Sequence, residues 1–95
     1  MPTDLKPSER EDLRNVVLGY LAARQTGAFD AAQIRATLLR RRDLDFAPTV
    51  ADVEAAVSFL LDKGFAKLQP SDMGAYTPSQ ATSAGVAEAE RRGLC

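Results

Sequence analysis

Histidine is absent from this sequence, and cysteine occurs once among its 95 residues, as Cys95. Histidine is the side chain that proteins use most often as a general base near neutral pH and as a nitrogen ligand for metals. Without it, neither a Ser-His-Asp nor a Cys-His nucleophile system can be assembled, and a conventional zinc site lacks its ligands. Glycine-rich loops of the Walker or dinucleotide-binding type are also missing. We therefore expect a protein that is not an enzyme and that has no metal and no cofactor.

Long apolar runs are missing as well. No segment approaches the run of about 18 apolar residues that a membrane-spanning helix needs, and residues 1–6 lack the apolar core of a secretory signal. A single cysteine also allows no intramolecular disulfide. These features predict a cytoplasmic protein with no membrane partner. With 45% hydrophobic and 26% charged residues, the composition is that of an ordinary globular domain.

Capping signals predict where the first two helices begin. Ser8 and Glu11 have the spacing of a capping box, in which each side chain binds a backbone N–H of the first turn. This predicts a helix that begins at Ser8 and ends near Gly27, where a left-handed glycine would terminate it. Asp30 and Gln33 repeat the capping spacing, and the helix that they predict ends at the basic run 40–42.

A third helix and a hairpin are predicted next. Thr49 caps the helix, Asp52 lies in its first turn and Gly64 ends it. Its apolar stripe, expected to face the core, consists of Val50, Val53, Val57, Leu60 and Leu61. Residues 65–69 and 75–78 have the pattern of two strands around a turn-rich tip. Thr82 is expected to cap a last helix over 83–92, in which Glu88 and Arg92 are spaced to form an ion pair.

Two stretches resemble the winged helix-turn-helix family. Val53–Phe65 is similar to the family's third helix, with apolar residues at helical spacing, then a glycine and an apolar strand start. Residues 76–78 and 82–85 resemble the second wing strand and the start of the helix that follows it. The resemblance covers residues 8–92, with tails expected at 1–7 and 93–95. It implies a mainly α fold with a small β-hairpin: a three-helix core, a two-stranded wing and a short C-terminal helix.

The resemblance also implies a function. Family members are often dimeric DNA-binding transcription regulators of bacterial or phage type, which place the third helix in the major groove. Here that role would fall to helix 49–63 and wing 65–78, with Thr49 and Ser58 near the groove. Phosphate contacts would then fall to Arg40, Arg41, Arg42 and Lys67.

The charge of the chain favours a different function. The net charge is −1, although binding to DNA depends on neutralising phosphates. No Arg, Lys, Asn or Gln, the usual readers of base edges, lies between Thr49 and Asp62. We expect Asp52 and Glu54 to lie close to the phosphates and repel them. The basic run 40–42 has a second interpretation, as a solvated helix end that complements the helix dipole.

The alternative is a protein-protein interaction or dimerisation module that does not bind DNA, such as an accessory protein of a phage or mobile element. Ala51, Ala55 and Phe59 form a small apolar stripe on the predicted outer face of the third helix. Small residues permit close helix approach, and an exposed aromatic side chain is a frequent interface anchor. The same stripe would instead be covered within the monomer if the wing or last helix packs on it. No small-molecule ligand is predicted on either hypothesis.

Overall fold

A computed structural model describes residues 6–42, 44–69 and 78–94 of the chain. The elements, in chain order, are listed here: α1 (Pro7–Ala23), α2 (Ala31–Arg41), α3 (Val50–Asp62), β1 (Ala66–Leu68), β2 (Ser79–Ala81) and α4 (Ser83–Arg92). The mainly α architecture with a small antiparallel sheet agrees with the predicted fold class. Among the described residues, no helix is both long enough and apolar enough to cross a membrane.

The two ends of α1 differ from the prediction. Lys6, not Ser8, is the N-cap, and the Glu9 carboxylate accepts its backbone N–H at 3.0 Å. Pro7 occupies the first helical position, where its lack of an N–H costs nothing. At the other end the helix stops at Ala23, and Gly27 does not adopt a left-handed conformation. The helix is followed by a turn in which the Gly27 N–H donates to the Arg24 carbonyl at 2.9 Å.

The predicted caps of α2 and α3 are confirmed. The Asp30 carboxylate accepts the Gln33 N–H at 2.8 Å, and the Gln33 side chain accepts the Asp30 N–H at 3.0 Å. Thr49 and Asp52 form the same reciprocal pair at the start of α3, at 3.1 and 2.9 Å. Such pairs satisfy backbone donors that have no partner within the helix. Gly64 ends α3 in the left-handed region, with φ 78°.

The core lies between the four helices and the sheet. Most of its helical members come from the stripes that periodicity predicts, and Leu18, Ala22 and Ala56 are buried in addition. Tyr20, expected at the core, is buried with its ring edge-on to Phe29 at 5.2 Å. Val50 is a correction, because it was expected inside but is 39% exposed at the first turn of α3. The fully or largely buried apolar residues are Leu13, Val17, Leu18, Tyr20, Leu21, Ala22, Ile34, Leu38, Val53, Ala56, Val57, Leu60, Ala66, Ala81 and Ala89.

The return strand of the wing lies later in the chain than expected. β1 pairs with Ser79–Ala81, in the register Ala66 with Ala81 and Leu68 with Ser79. Of the predicted strand at 75–78, only Pro78 lies in the described part of the chain. Its carbonyl accepts the Gln69 N–H at 2.8 Å, but proline has no N–H with which to continue the ladder. Residues 70–77, and Tyr76 among them, lie outside the described residues.

β2 has a second neighbour that the sequence did not indicate. Phe29 and Ser79 exchange two backbone hydrogen bonds, at 2.8 and 2.7 Å, as an antiparallel bridge. The segment between α1 and α2 is therefore tied to the wing. Ser79 is buried between Phe29 and β1, which connects the sheet to the helical core.

α4 begins and ends where the sequence places it. The Thr82 hydroxyl accepts the Gly85 N–H at 3.0 Å, and Gly93 caps the C-terminal end with φ 70°. Glu88 forms salt bridges with Arg92, as predicted, and with Arg91. Leu94, which the sequence assigns to a tail, donates its N–H to the Ala89 carbonyl at 2.8 Å and packs against the core.

Candidate nucleic-acid interface

The solvent face of α3 consists mainly of small side chains. Ala51, Ala55 and Ser58 are exposed on it, and so is Glu54. Thr49 precedes the helix, and its hydroxyl is already used to accept the Asp52 N–H. Of the two residues predicted to lie near a DNA groove, Ser58 thus presents its hydroxyl from the helix face, whereas that of Thr49 caps the helix.

Asp52 does not lie on this face, which corrects one expectation. Its side chain accepts the Thr49 N–H at 2.9 Å, and the residue is only 7% exposed. A carboxylate at the start of a helix is stabilised by the helix dipole and by the backbone N–H that it accepts. The first of the two acidic residues expected to repel phosphates is therefore turned inward, and Glu54 remains.

The predicted phosphate contacts lie on separate surfaces. Arg40 donates to the Thr37 hydroxyl at 3.4 Å at the exposed end of α2. Arg41 lines a depression formed with α1 and Leu94, and Arg42 lines another with the 44–47 connector. The three arginines are consecutive, but Arg41 and Arg42 line different depressions.

Lys67 extends from the middle of β1 and is exposed. Its neighbours along the strand, Ala66 and Leu68, point to the opposite face of the sheet because side chains alternate along a strand. Lys67 pairs across the sheet with Gln80, and the Gln80 side chain in turn donates to the Gln25 carbonyl at 2.6 Å. A firmly paired strand therefore presents this cation to solvent.

Phe59 is half-buried and packs against the core, unlike the open anchor that the alternative hypothesis requires. The Arg14 guanidinium lies 3.9 Å from the centre of its ring, and the Lys63 ammonium lies 5.5 Å away. Both distances fall in the range of cation–π contacts. Ala51 and Ala55 stay exposed, so the predicted stripe is open at one end and covered by Arg14 of α1 at the other.

A groove between α3 and the wing was not anticipated from the sequence. It has a volume of about 510 Å³. Val50, 39% exposed, and Leu68, 50% exposed, are both part of its lining. Together with Asp30, Ala31, Ala32, Glu54, Val57, Ser58, Leu61 and Ser79 they define what we call the α3–wing groove. The residue that could have indicated this groove is Val50. It is apolar, but it lies almost one helical turn before Val53, the first member of the stripe that is buried.

Two further contacts fix the geometry of this region and were missed. The Arg35 Nε donates to the Pro48 carbonyl at 2.7 Å, which holds the connector that leads into α3. Gly85 packs so closely on the start of the wing that a Cβ atom there would lie 1.9 Å from the Phe65 carbonyl oxygen. A glycine inside an otherwise helical pattern is the signal that could have revealed the second contact.

Among the described residues, no group of three or more His, Cys, Asp or Glu side chains is positioned to hold a metal ion. The Glu88 carboxyl, on α4, has a pKa below its ordinary value because Arg91 and Arg92 donate hydrogen bonds to it.

The fold is that of two solved structures. F-93 of SSV1 superposes with a TM-score of 0.64 and 18% sequence identity, covering 96% of this chain and 87% of that one. MepR of S. aureus, in a structure with ethidium bromide bound, superposes with a TM-score of 0.65 and 17% identity. This match covers 96% of the present chain, which spans 57% of the MepR chain. No protein-family model matches the sequence, and no curated protein matches it.

These superpositions, the four helices and the two-stranded sheet together show a winged helix-turn-helix fold. The predicted resemblance is confirmed at this level. In this fold α2 and α3 are the helix-turn-helix pair and β1 and β2 form the base of the wing.

Proposed function

We propose that this chain is a DNA-binding regulator that places α3 in the major groove, works in the cytoplasm and catalyses no reaction. The observation that carries the proposal is the shape of the α3 solvent face. Ala51, Ala55 and Ser58 project little from the helix, so its backbone can approach base edges closely. The inward turn of Asp52 supports the proposal, because it removes one negative charge from the expected contact surface.

Ser58 is the residue on this face that can exchange hydrogen bonds with base edges while leaving the helix surface smooth. Lys67 on the wing and Arg40 and Arg42 at the end of α2 are exposed cations, and we assign phosphate contacts to them. Because the face has few base readers, discrimination between DNA sequences should be weak and affinity should depend strongly on salt.

The test is fluorescence anisotropy of a labelled random-sequence duplex titrated with the full chain at about 50 to 200 mM salt. We expect binding that weakens steeply with salt, and Lys67→Gln should reduce the slope of log K against log salt by about 0.9, the value for one phosphate contact. Arg91→Gln on α4 removes the same charge from an exposed site and is the matched control. Failure of micromolar protein to bind at the lowest salt would contradict the proposal.

A second candidate is an interaction module without DNA binding. It is favoured by the charge of α3, whose exposed ionised side chains, Glu54 and Asp62, are both acidic. The contact surface would be the open end of the stripe formed by Ala51, Ala55 and Phe59, and the partner a second copy or another protein.

Ala55→Arg tests this candidate better than a change at Phe59, since Ala55 is exposed whereas Phe59 packs on the core. If the stripe mediates self-association, the variant should be monomeric by light scattering at concentrations where the original chain is dimeric. Ala84→Arg, at an exposed position of α4, is the control. A chain that is monomeric throughout, or a dimer that Ala55→Arg leaves intact, argues against self-association through this stripe.

A further inference from the structure

We propose that the α3–wing groove binds a segment of a partner protein in which a lysine or arginine is flanked by apolar side chains. The groove shares Glu54 and Ser58 with the proposed DNA surface, but the proposal does not depend on DNA binding.

Exposed apolar side chains are the first observation. Val50 and Leu68 are the two large hydrophobic residues that stand out as exposed in the described part of the chain, and both line this groove. One lies on the first turn of α3 and the other at the end of β1, so they face the groove from different elements. Two exposed apolar groups that converge on one concave surface suggest a site that is covered by a partner.

The second observation is an unpaired acid within the apolar lining. Glu54 follows Val50 by one helical turn and precedes Val57 by three residues, so these side chains share one side of α3. The Glu54 side chain makes no hydrogen bond or salt bridge with the rest of the described chain. The other acid of the lining, Asp30, is already occupied as the cap of α2. The described residues that line the groove include no lysine or arginine, so a basic group on the partner would meet Glu54 without competition from them.

The shape of the groove selects a peptide segment. The lining includes both Val50 and Leu61, and α3 rises about 16 Å between them at about 1.5 Å per residue. An open groove of this length matches several turns of helix or a short extended segment, as in helix-in-groove recognition. The long aliphatic stem of a lysine or arginine would lie along the apolar wall while its charged end reaches Glu54.

The charges make other occupants unfavourable. In a symmetric dimer in which the two grooves face each other, each Glu54 would meet a lining that has no lysine or arginine among the described residues, so its charge would be buried without a partner. DNA phosphates entering the groove would meet the same carboxylate. A basic amphipathic segment is thus the occupant that satisfies both the apolar walls and the acid.

The experiment is a peptide-display selection on two immobilised full-length chains, the original and Glu54→Lys. On the original, we expect enrichment of peptides with Lys or Arg between apolar residues. On Glu54→Lys, the selected peptides should carry Asp or Glu at the same place. Glu11→Lys, which makes the same change at an exposed position of α1, should select the same peptides as the original.

A synthetic copy of the most enriched peptide, labelled and followed by anisotropy, then gives magnitudes. Glu54→Gln should weaken its binding by about fivefold, the effect of losing one partly exposed ion pair. Leu68→Ser should weaken it by about tenfold through lost apolar burial. The proposal would be overturned if no peptides are enriched on the original chain, or if the original and Glu54→Lys select the same peptides. Self-association that Glu54→Lys abolishes would overturn it too, because the occupant would then be a second copy.

Discussion

Gly85→Ala is the substitution for which the structure makes its sharpest stability prediction. Gly85 lies in the first turn of α4, where the helix passes over the junction between α3 and β1. The Thr82 N–H donates to the Phe65 carbonyl at 3.0 Å, and a Cβ on Gly85 would lie 1.9 Å from that same oxygen and 2.8 Å from its carbon. The obstacle is backbone, which cannot rotate away as a side chain would.

The expected cost follows from these distances. An ordinary contact needs roughly 3.4 Å, so α4 would have to move by more than an ångström relative to β1. Overpacking typically costs about 1–3 kcal/mol and occasionally more; because the obstacle here is backbone, we take a cost of about 3–4 kcal/mol, at the top of that range. Alanine regains about 1 kcal/mol of helix propensity, which leaves a net loss of about 2–3 kcal/mol. For a chain of this size that corresponds to a decrease in Tm of roughly 10–20 °C.

The assay is urea and thermal unfolding followed by circular dichroism, with Gly64→Ala as the comparison. A Cβ at Gly64 would meet nothing within 4 Å, but its φ of 78° is unfavourable for alanine, so we expect a loss of about 1–2 kcal/mol there. The predicted order is therefore Gly85→Ala less stable than Gly64→Ala. If Gly85→Ala is as stable as the original chain, or more stable through its helix propensity, then Gly85 does not pack as closely on the Phe65 carbonyl as the structure indicates.

Two further predictions concern α4. Thr82→Ala should lower the free energy of unfolding by about 1–2 kcal/mol, because the hydroxyl both caps α4 and donates to the Gly64 carbonyl at 2.6 Å; Thr82→Ser keeps both bonds and should lose much less in the same urea titrations. The pKa of Glu88 is lowered by hydrogen bonds from Arg91 and then Arg92, so its contribution to stability is present above the unfolded-state pKa and is lost as the pH falls through the lowered value. Glu88→Gln should therefore show a weaker acid-induced loss of stability in Tm measured from neutral pH downward, and an unchanged pH profile would contradict this assignment.

The parts of the fold that sequence predicted well depend on nearby residues. Asp30 pairs with Gln33, and Thr49 caps α3, as expected, because each cap and its partner lie within one helical turn. Hydrophobic periodicity identified most of the core for the same reason, since one helix face can be read without knowledge of the rest of the chain.

The parts that sequence missed depend on distant residues. Phe29 and Ser79 pair across 50 positions of sequence, and the strand residues around Ser79 are small or polar and show no apolar alternation. The outer surface of α3 was misjudged in the same way. Asp52 was expected outside because helical spacing places it on the face opposite the apolar stripe, whereas the capping bond turns it inward. Val50 was expected inside because it is apolar, whereas the groove at the first turn of α3 leaves it exposed.

Glu54 is the residue at which the two proposed binding surfaces make opposite demands, and one substitution can therefore separate them. Glu54→Lys replaces a negative by a positive charge on the side of α3 that also carries Ser58. If α3 enters the major groove, DNA affinity should rise and the slope of log K against log salt should steepen by about 0.9, as for one added phosphate contact. Binding of a basic peptide to the same variant should fall. If the DNA affinity rises and the peptide affinity is unchanged, the groove proposal is refuted and the DNA proposal stands. If the peptide affinity falls and the DNA affinity is unchanged, DNA does not contact this side of α3. Because both ligands are measured on the same folded variant, a change in stability cannot produce opposite shifts in the two affinities.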